Sequence, residues 1–140
     1  MTMRLAARIR SPRQRGQSLL ETALMIVVIF TVVFWIFELG WLMYTYSVLA
    51  DAANEGVRYA IVHSGGDPSG TTSRVVAFAG TSLHNVSGIS VAVSHPDGDF
   101  VPPHRVSVRV TYTYVPWLQG FINTPTMKTY AEGRMIVPLI

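Results

Sequence analysis

Among the residues able to do chemistry, Glu21 stands apart by its position. It is the last charge before sixteen uncharged residues, Thr22–Phe37, in which only two threonines interrupt the apolar side chains. An unpaired carboxylate in hydrocarbon costs on the order of 2.5 to 3.5 kcal/mol on insertion scales, so Glu21 needs either a cation or a place outside the lipid. The other reactive groups are dispersed. His63, His84, His95 and His104 fall at loop-like positions without the i, i+4 or paired spacing of a metal site, so solvated or locally bonded histidines are expected. Asp97 and Asp99 flank Gly98 as in a turn, without the rest of a calcium loop. Asn85-Val86-Ser87 fits a glycosylation sequon, a frequent chance match. Cysteine is absent, which excludes disulfides, thiolate zinc and a cysteine nucleophile. No phosphate loop, nucleophile elbow or carboxylate pair in a cleft can be read, so neither catalysis nor a metal or cofactor is expected.

The elements that must position Glu21 follow from composition and charge. A chain of 140 residues has room for one domain of ordinary size. It is 49% hydrophobic and only 14% charged, a balance that excludes disorder and points to a lipid-contacting segment. The net charge of +3 is no nucleic-acid footprint, because Arg4, Arg8, Arg10, Arg13 and Arg15 all precede Gly16. From Gln17 onward six basic residues face eight acidic ones. With its flanks, the apolar run can cross a hydrocarbon layer, which takes about 20 helical residues. Trp35, Trp41, Tyr44 and Tyr46 then occupy interfacial levels, and the arginine-rich start places the N-terminus in the cytoplasm.

Three fates compete for this N-terminal segment. A secretory signal peptide fits poorly, since Ala50-Asp51-Ala52 lies far beyond the apolar run. An uncleaved signal anchor explains the arginines and the run, with Glu21 still outside the hydrocarbon. The third fate comes from a resemblance: Arg15-Gly16-Gln17-Ser18-Leu19-Leu20-Glu21 is similar to the type IV prepilin signal, cut after glycine by an aspartyl peptidase, with glutamate as the fifth mature residue. Cleavage between Gly16 and Gln17 would create an ammonium about 6 Å along the helix axis from Glu21. That cation, or the same group on a neighbouring subunit, would neutralise the carboxylate and set the axial register of assembly.

The apolar periodicity continues past the membrane run. Leu39, Leu42, Tyr46, Leu49, Ala53, Gly56 and Ala60 recur at alternating spacings of three and four, one stripe on one helix. Its last three members are small enough for another backbone to come close. Glu55 and Arg58 are spaced for a weak surface pair. No proline interrupts Gln17 to Val62, and Ser64-Gly65-Gly66-Asp67-Pro68 is a strong stop, giving a helix of about 45 residues.

Arg15 to Ala60 resembles the TadE-like family of tight-adherence (Tad) pilus systems over about a third of the chain. The matching positions are Gly16 and Glu21, then Glu38-Leu39-Gly40, then Ala53-Asn54-Glu55-Gly56-Val57-Arg58-Tyr59-Ala60. Two residues depart from the pattern of related pilins. Thr22 stands where the major Flp-type pilins have an aromatic, and Gln17 where other type IV pilins have phenylalanine, which puts N-methylation in doubt. The long body favours a minor pilin or pseudopilin over the main filament subunit. The resemblance implies a prepilin peptidase, the Tad inner-membrane assembly platform, a TadF-like companion subunit and Flp pilus subunits as partners, beside the lipid bilayer.

Beyond the stop, Ser73–Leu83 reads as a short amphipathic helix. Ile89–Val93, Val106–Tyr112 and Lys128–Val137 read as strands, with a turn at His95–Asp99 and a loop from Pro116 to Pro125. Tyr112, Tyr114, Trp117 and Phe121 form either a contact patch or part of the core. The expected class is α+β: a basic leader over 1–16, a long helix over 17–62 that spans the membrane over 17–41, and an exported body over 63–140. In that body a small antiparallel sheet of about three strands packs on the helix stripe. Two readings of function stand at this point: a TadE-like pilus-assembly subunit in a bacterial inner membrane, or an uncleaved single-pass protein with an exported protein-binding domain. An exported enzyme is a third class.

Overall fold

The computed structural model describes residues 12–63, 68–98, 103–117, 120 and 123–135, with side chains from residue 16 onward. Most of the arginine leader, residues 64–67 of the stop, Asp99, Phe121 and the end of the third strand stretch (residues 136 and 137) lie outside the described residues. Contacts group the chain into two units, Met1–Phe37 and Glu38–Ile140. Two helices and three strands make up the described structure: α1 (Pro12–Val62), α2 (Pro68–Gly80), β1 (Ile89–Ser94), β2 (Arg105–Thr113) and β3 (Thr126–Arg134).

Helix α1 begins at Pro12, five residues before Gln17. Proline suits a first helical turn, where its missing N–H has no partner to lose. The single Gly16 then costs only about 1 kcal/mol relative to alanine, too little to stop a long helix. In the first unit its large apolar side chains are exposed on every side, from 39% at Val33 to 72% at Leu19. The threonines in this stretch satisfy themselves: Thr22 Oγ1 donates to the Ser18 carbonyl at 2.9 Å and Thr31 Oγ1 to Val27 at 2.8 Å. Neither threonine hydroxyl needs water, which suits a lipid-facing helix.

In the second unit the strands form an antiparallel sheet in the order β1-β2-β3. Register pairs Val91 with Val110 and Val93 with Val108, then Val108 with Ala131 and Val110 with Thr129. Alternation therefore sends Val106, Val108, Val110 and Tyr112 to one buried face of the central strand. Val108, Val110 and Tyr112 share a core with Leu49, Ala52, Ala53 and Val57 of α1 and with Val75 and Ala79 of α2, while Val106 packs with Ala60 and Met135. A turn just after β1 closes through the Gly98 N–H donating to the His95 carbonyl, with Gly98 at a φ of 88° that suits glycine.

Two expectations need correction. Helix α2 starts at Pro68 rather than Ser73, because the proline that helps to end α1 also opens the next helix. It ends at Gly80, where the Leu83 amide turns back to the Ala79 carbonyl at 2.8 Å. The buried stripe of α1 is also turned by one residue at its first members: Leu39 and Tyr46 are exposed, while Glu38 and Thr45 are buried. Both polar groups find partners, Thr45 Oγ1 donating to the Trp41 carbonyl at 2.9 Å, so neither is orphaned by burial. From Leu49 onward the expected stripe and the buried one coincide at Ala53, Gly56 and Ala60.

Candidate functional site

The residues singled out by sequence fall into three places. Gly16, Gln17 and Glu21 lie exposed on the first unit's stretch of α1. A Cβ at Gly16 would meet nothing within 4 Å, so no other described part of the chain packs against that position. The helix keeps Gln17 and Glu21 one turn apart.

The second place is Glu38, the first residue of the larger unit. Its side chain is only 7% exposed. Tyr114 donates its hydroxyl to Glu38 Oε1 at 2.7 Å, and the Trp117 amide donates to both carboxylate oxygens at 3.3 and 3.2 Å. Three donor contacts replace the water such a group would otherwise bind, and no cation pairs with it among the described residues. Burial, and then the bond to Glu38, push the Tyr114 phenol well above its ordinary range, so it remains a donor. The loop after β2 is thereby tied to α1. A notch of about 180 Å³ beside this tie is lined by Trp41, Thr45, Leu83, His84, Tyr112 and Trp117. Gly40, the other middle-motif position, is exposed with no neighbour within 4 Å of a Cβ placed there.

The third place is the end of α1. Glu55 was expected to pair with Arg58, and does so at 3.8 Å. Its closer partner is Arg74 of α2, whose Nη2 and Nε reach Glu55 Oε1 at 2.8 and 3.1 Å. Gly56 lies in the core, where a Cβ would come within 2.5 Å of Val75 Cγ2 and 3.3 Å of Val108 Cγ1. The small stripe position thus serves the approach of α2 and β2 to α1. Tyr59 stacks on His63, ring centroids 4.0 Å apart.

The remaining candidates are accounted for locally. Asp97 forms a two-oxygen pair with Arg105, which also reaches Glu132 at 3.1 Å. The bonds from Arg105 lower the Asp97 carboxyl to about 2, and the two carboxylates hold the Arg105 guanidinium firmly protonated. Asp97 is therefore already matched by a cation of its own chain. Among the described residues no group of three or more His, Asp or Glu side chains is placed to hold a metal ion.

Sequence reasoning missed the Glu38–Tyr114–Trp117 tie and the Glu55–Arg74 pair. The first left a trace: Glu38 ends a charge-free run, and no basic residue follows it in sequence until Arg58. A buried acid there had to draw its donors from the body. The second left none, since Arg74 is one of several arginines and 19 residues away.

Residues 16–58 match the family model described as TadE-like protein, the family resembled by the Gly16, Glu38 and Glu55–Ala60 positions. No curated protein and no solved structure matches the chain. The family points to a Tad pilus-associated, pilin-like protein. Helix α1 is the one described helix long and apolar enough to cross a bilayer, and none of its most apolar window is buried, consistent with a single-pass membrane protein.

Proposed function

From the premise that residues 16–58 are TadE-like, we propose that the chain is a minor pilin or pseudopilin of a Tad/Flp pilus. It inserts with its N-terminus in the cytoplasm, is cut by a prepilin peptidase between Gly16 and Gln17, and joins pilus assembly through α1. Its role is structural rather than catalytic, in the bacterial inner membrane or in the fibre that leaves it. The assembly platform, a TadF-like companion and Flp subunits are the partners of this reading.

The observation that carries it is the exposed apolar surface of α1 ahead of Glu38. A helix apolar all round is stable only in lipid or among other helices, and a pilin uses both environments in turn. Glu21 fits the same sequence of events. Once the chain is cut, the new ammonium at Gln17, on its own helix or a neighbour's, supplies the cation that a lipid-embedded carboxylate lacks. The exported body supplies the part that small filament subunits do not have.

N-terminal sequencing of the membrane-inserted product tests the proposal. Gln17 as first residue supports it. Met1 or Thr2 in assembled, functioning material overturns it in favour of the uncleaved single-pass protein with an exported binding domain.

A further inference from the structure

The tie between Glu38 and the loop after β2 has a consequence for where that loop sits. Glu38 directly follows Phe37, the last residue of the charge-free run. A helix needs about 20 residues to cross the hydrocarbon, so a span that begins at Ser18, carries Glu21 and ends with Phe37 reaches its outer boundary close to Glu38. The start of the loop is held at this level by the Trp117 amide and the Tyr114 hydroxyl, which both donate to the buried Glu38 carboxylate. Pro116 is fully buried, while Val115 and Trp117 on either side of it face outward, Trp117 at 84% exposure. Trp41, which lines the same notch as Trp117, and Tyr44 lie on the first two turns of α1 beyond Glu38 and are exposed, their rings 5.4 Å apart. The chain between Arg109 and Lys128 contains no Asp, Glu, Lys, Arg or His, so no charge opposes contact with a bilayer surface.

We propose that Val115 and Trp117 are a second membrane contact: the loop after β2 rests in the outer headgroup–hydrocarbon boundary beside Trp41 and Tyr44, with Glu38 setting its depth. Tryptophan is the side chain best suited to that level, its ring apolar and its indole N–H able to bond to headgroups. Such a contact would hold the body down on the bilayer before assembly and would have to be released for the subunit to leave it. The inference rests on α1 being membrane-inserted, as in the proposed function.

The chain has three tryptophans, so two full-length single-tryptophan proteins separate the two claims. Trp35 is retained alone by Trp41→Phe and Trp117→Phe, and Trp117 alone by Trp35→Phe and Trp41→Phe. Each is reconstituted in phosphatidylcholine vesicles whose acyl chains are brominated either deep in the layer or close to the headgroup, with far-UV circular dichroism to check folding. Trp35 lies about one helical turn below Glu38, so acyl-chain bromines should remove most of its emission, those close to the headgroup at least as well as the deep ones. Bromines near the headgroup should remove most of the Trp117 emission, which should be blue-shifted and little affected by aqueous iodide. Quenched Trp35 with iodide-accessible, bromine-insensitive Trp117 overturns this inference alone. Trp117 shielded from both quenchers also overturns it, in favour of a protein contact such as a second copy. Unquenched Trp35 overturns both this inference and membrane insertion.

Discussion

Replacing Glu38 by alanine should loosen the larger unit without touching its apolar core. The substitution removes the acceptor of the Tyr114 hydroxyl at 2.7 Å and of the Trp117 amide. A hydrogen bond to a charged group contributes about 1.5 to 3 kcal/mol, and a buried donor left without a partner costs about 1 to 3 kcal/mol. Tyr114 is buried and bears that cost, whereas Trp117 is exposed and its amide can turn to water. Some of the loss is offset, because the variant no longer buries a carboxylate. The expected net destabilisation is about 2 to 3 kcal/mol. Tyr114→Phe should cost less, since Glu38 keeps the Trp117 amide, and the double variant should cost less than the sum by about 1 to 2 kcal/mol. Urea unfolding of the full chain in lipid nanodiscs, followed by near-UV circular dichroism, gives these differences. Two further readouts bear on geometry. Hydrogen exchange at the Trp117 amide should accelerate in Glu38→Ala, and the Tyr114 phenol should titrate closer to its ordinary range once the anionic acceptor is gone. Because burial and Glu38 raise the folded phenol's pKa, the stability linked to it is complete below pH about 10 and declines as pH rises beyond that. Additive single variants, or a Glu38→Ala protein within about 0.5 kcal/mol of wild type, would refute the tie.

Acid should act through Asp97, whose folded pKa is depressed to about 2 by Arg105. The stability from that pair is present above pH about 4 and lost as pH falls toward 2, so Asp97→Asn should flatten the acid limb of the unfolding curve; an unchanged limb would count against the pair. Gly56→Ala gains about 1 kcal/mol of helix propensity but drives a Cβ to 2.5 Å from the fully buried Val75, a clash typically costing about 1 to 3 kcal/mol. Net destabilisation, relieved by adding Val75→Ala, is expected in the same urea assay; a stabilised single variant contradicts the close approach. For assembly, Gly16→Leu should leave the full-length precursor in the membrane on immunoblots. Glu21→Ala should still be processed but enter the pilus poorly, and normal piliation by that variant would end the charge-pairing argument.

What could be read from the sequence was whatever depends on near neighbours along the chain. The charge-free run from Thr22 to Phe37 and the unbroken helical periodicity define α1, and the alternation in Ile89–Val93 and Val106–Tyr112 defines two strands with their buried faces. The α+β class follows from these, and the glycine and glutamate positions that resemble a pilus family lie within one segment of helix. Strand order, the start of α2 and the inward turn of Glu38 and Thr45 could not be read this way. A hydrophobic stripe ranks side chains by apolarity, and on that ranking Leu39 and Tyr46 precede Glu38 and Thr45. Tertiary structure reverses the order because it supplies donors from 76 and 79 residues away, at Tyr114 and Trp117. Whether a carboxylate is tolerable inside depends on the groups that surround it, and only the folded body brings those groups together.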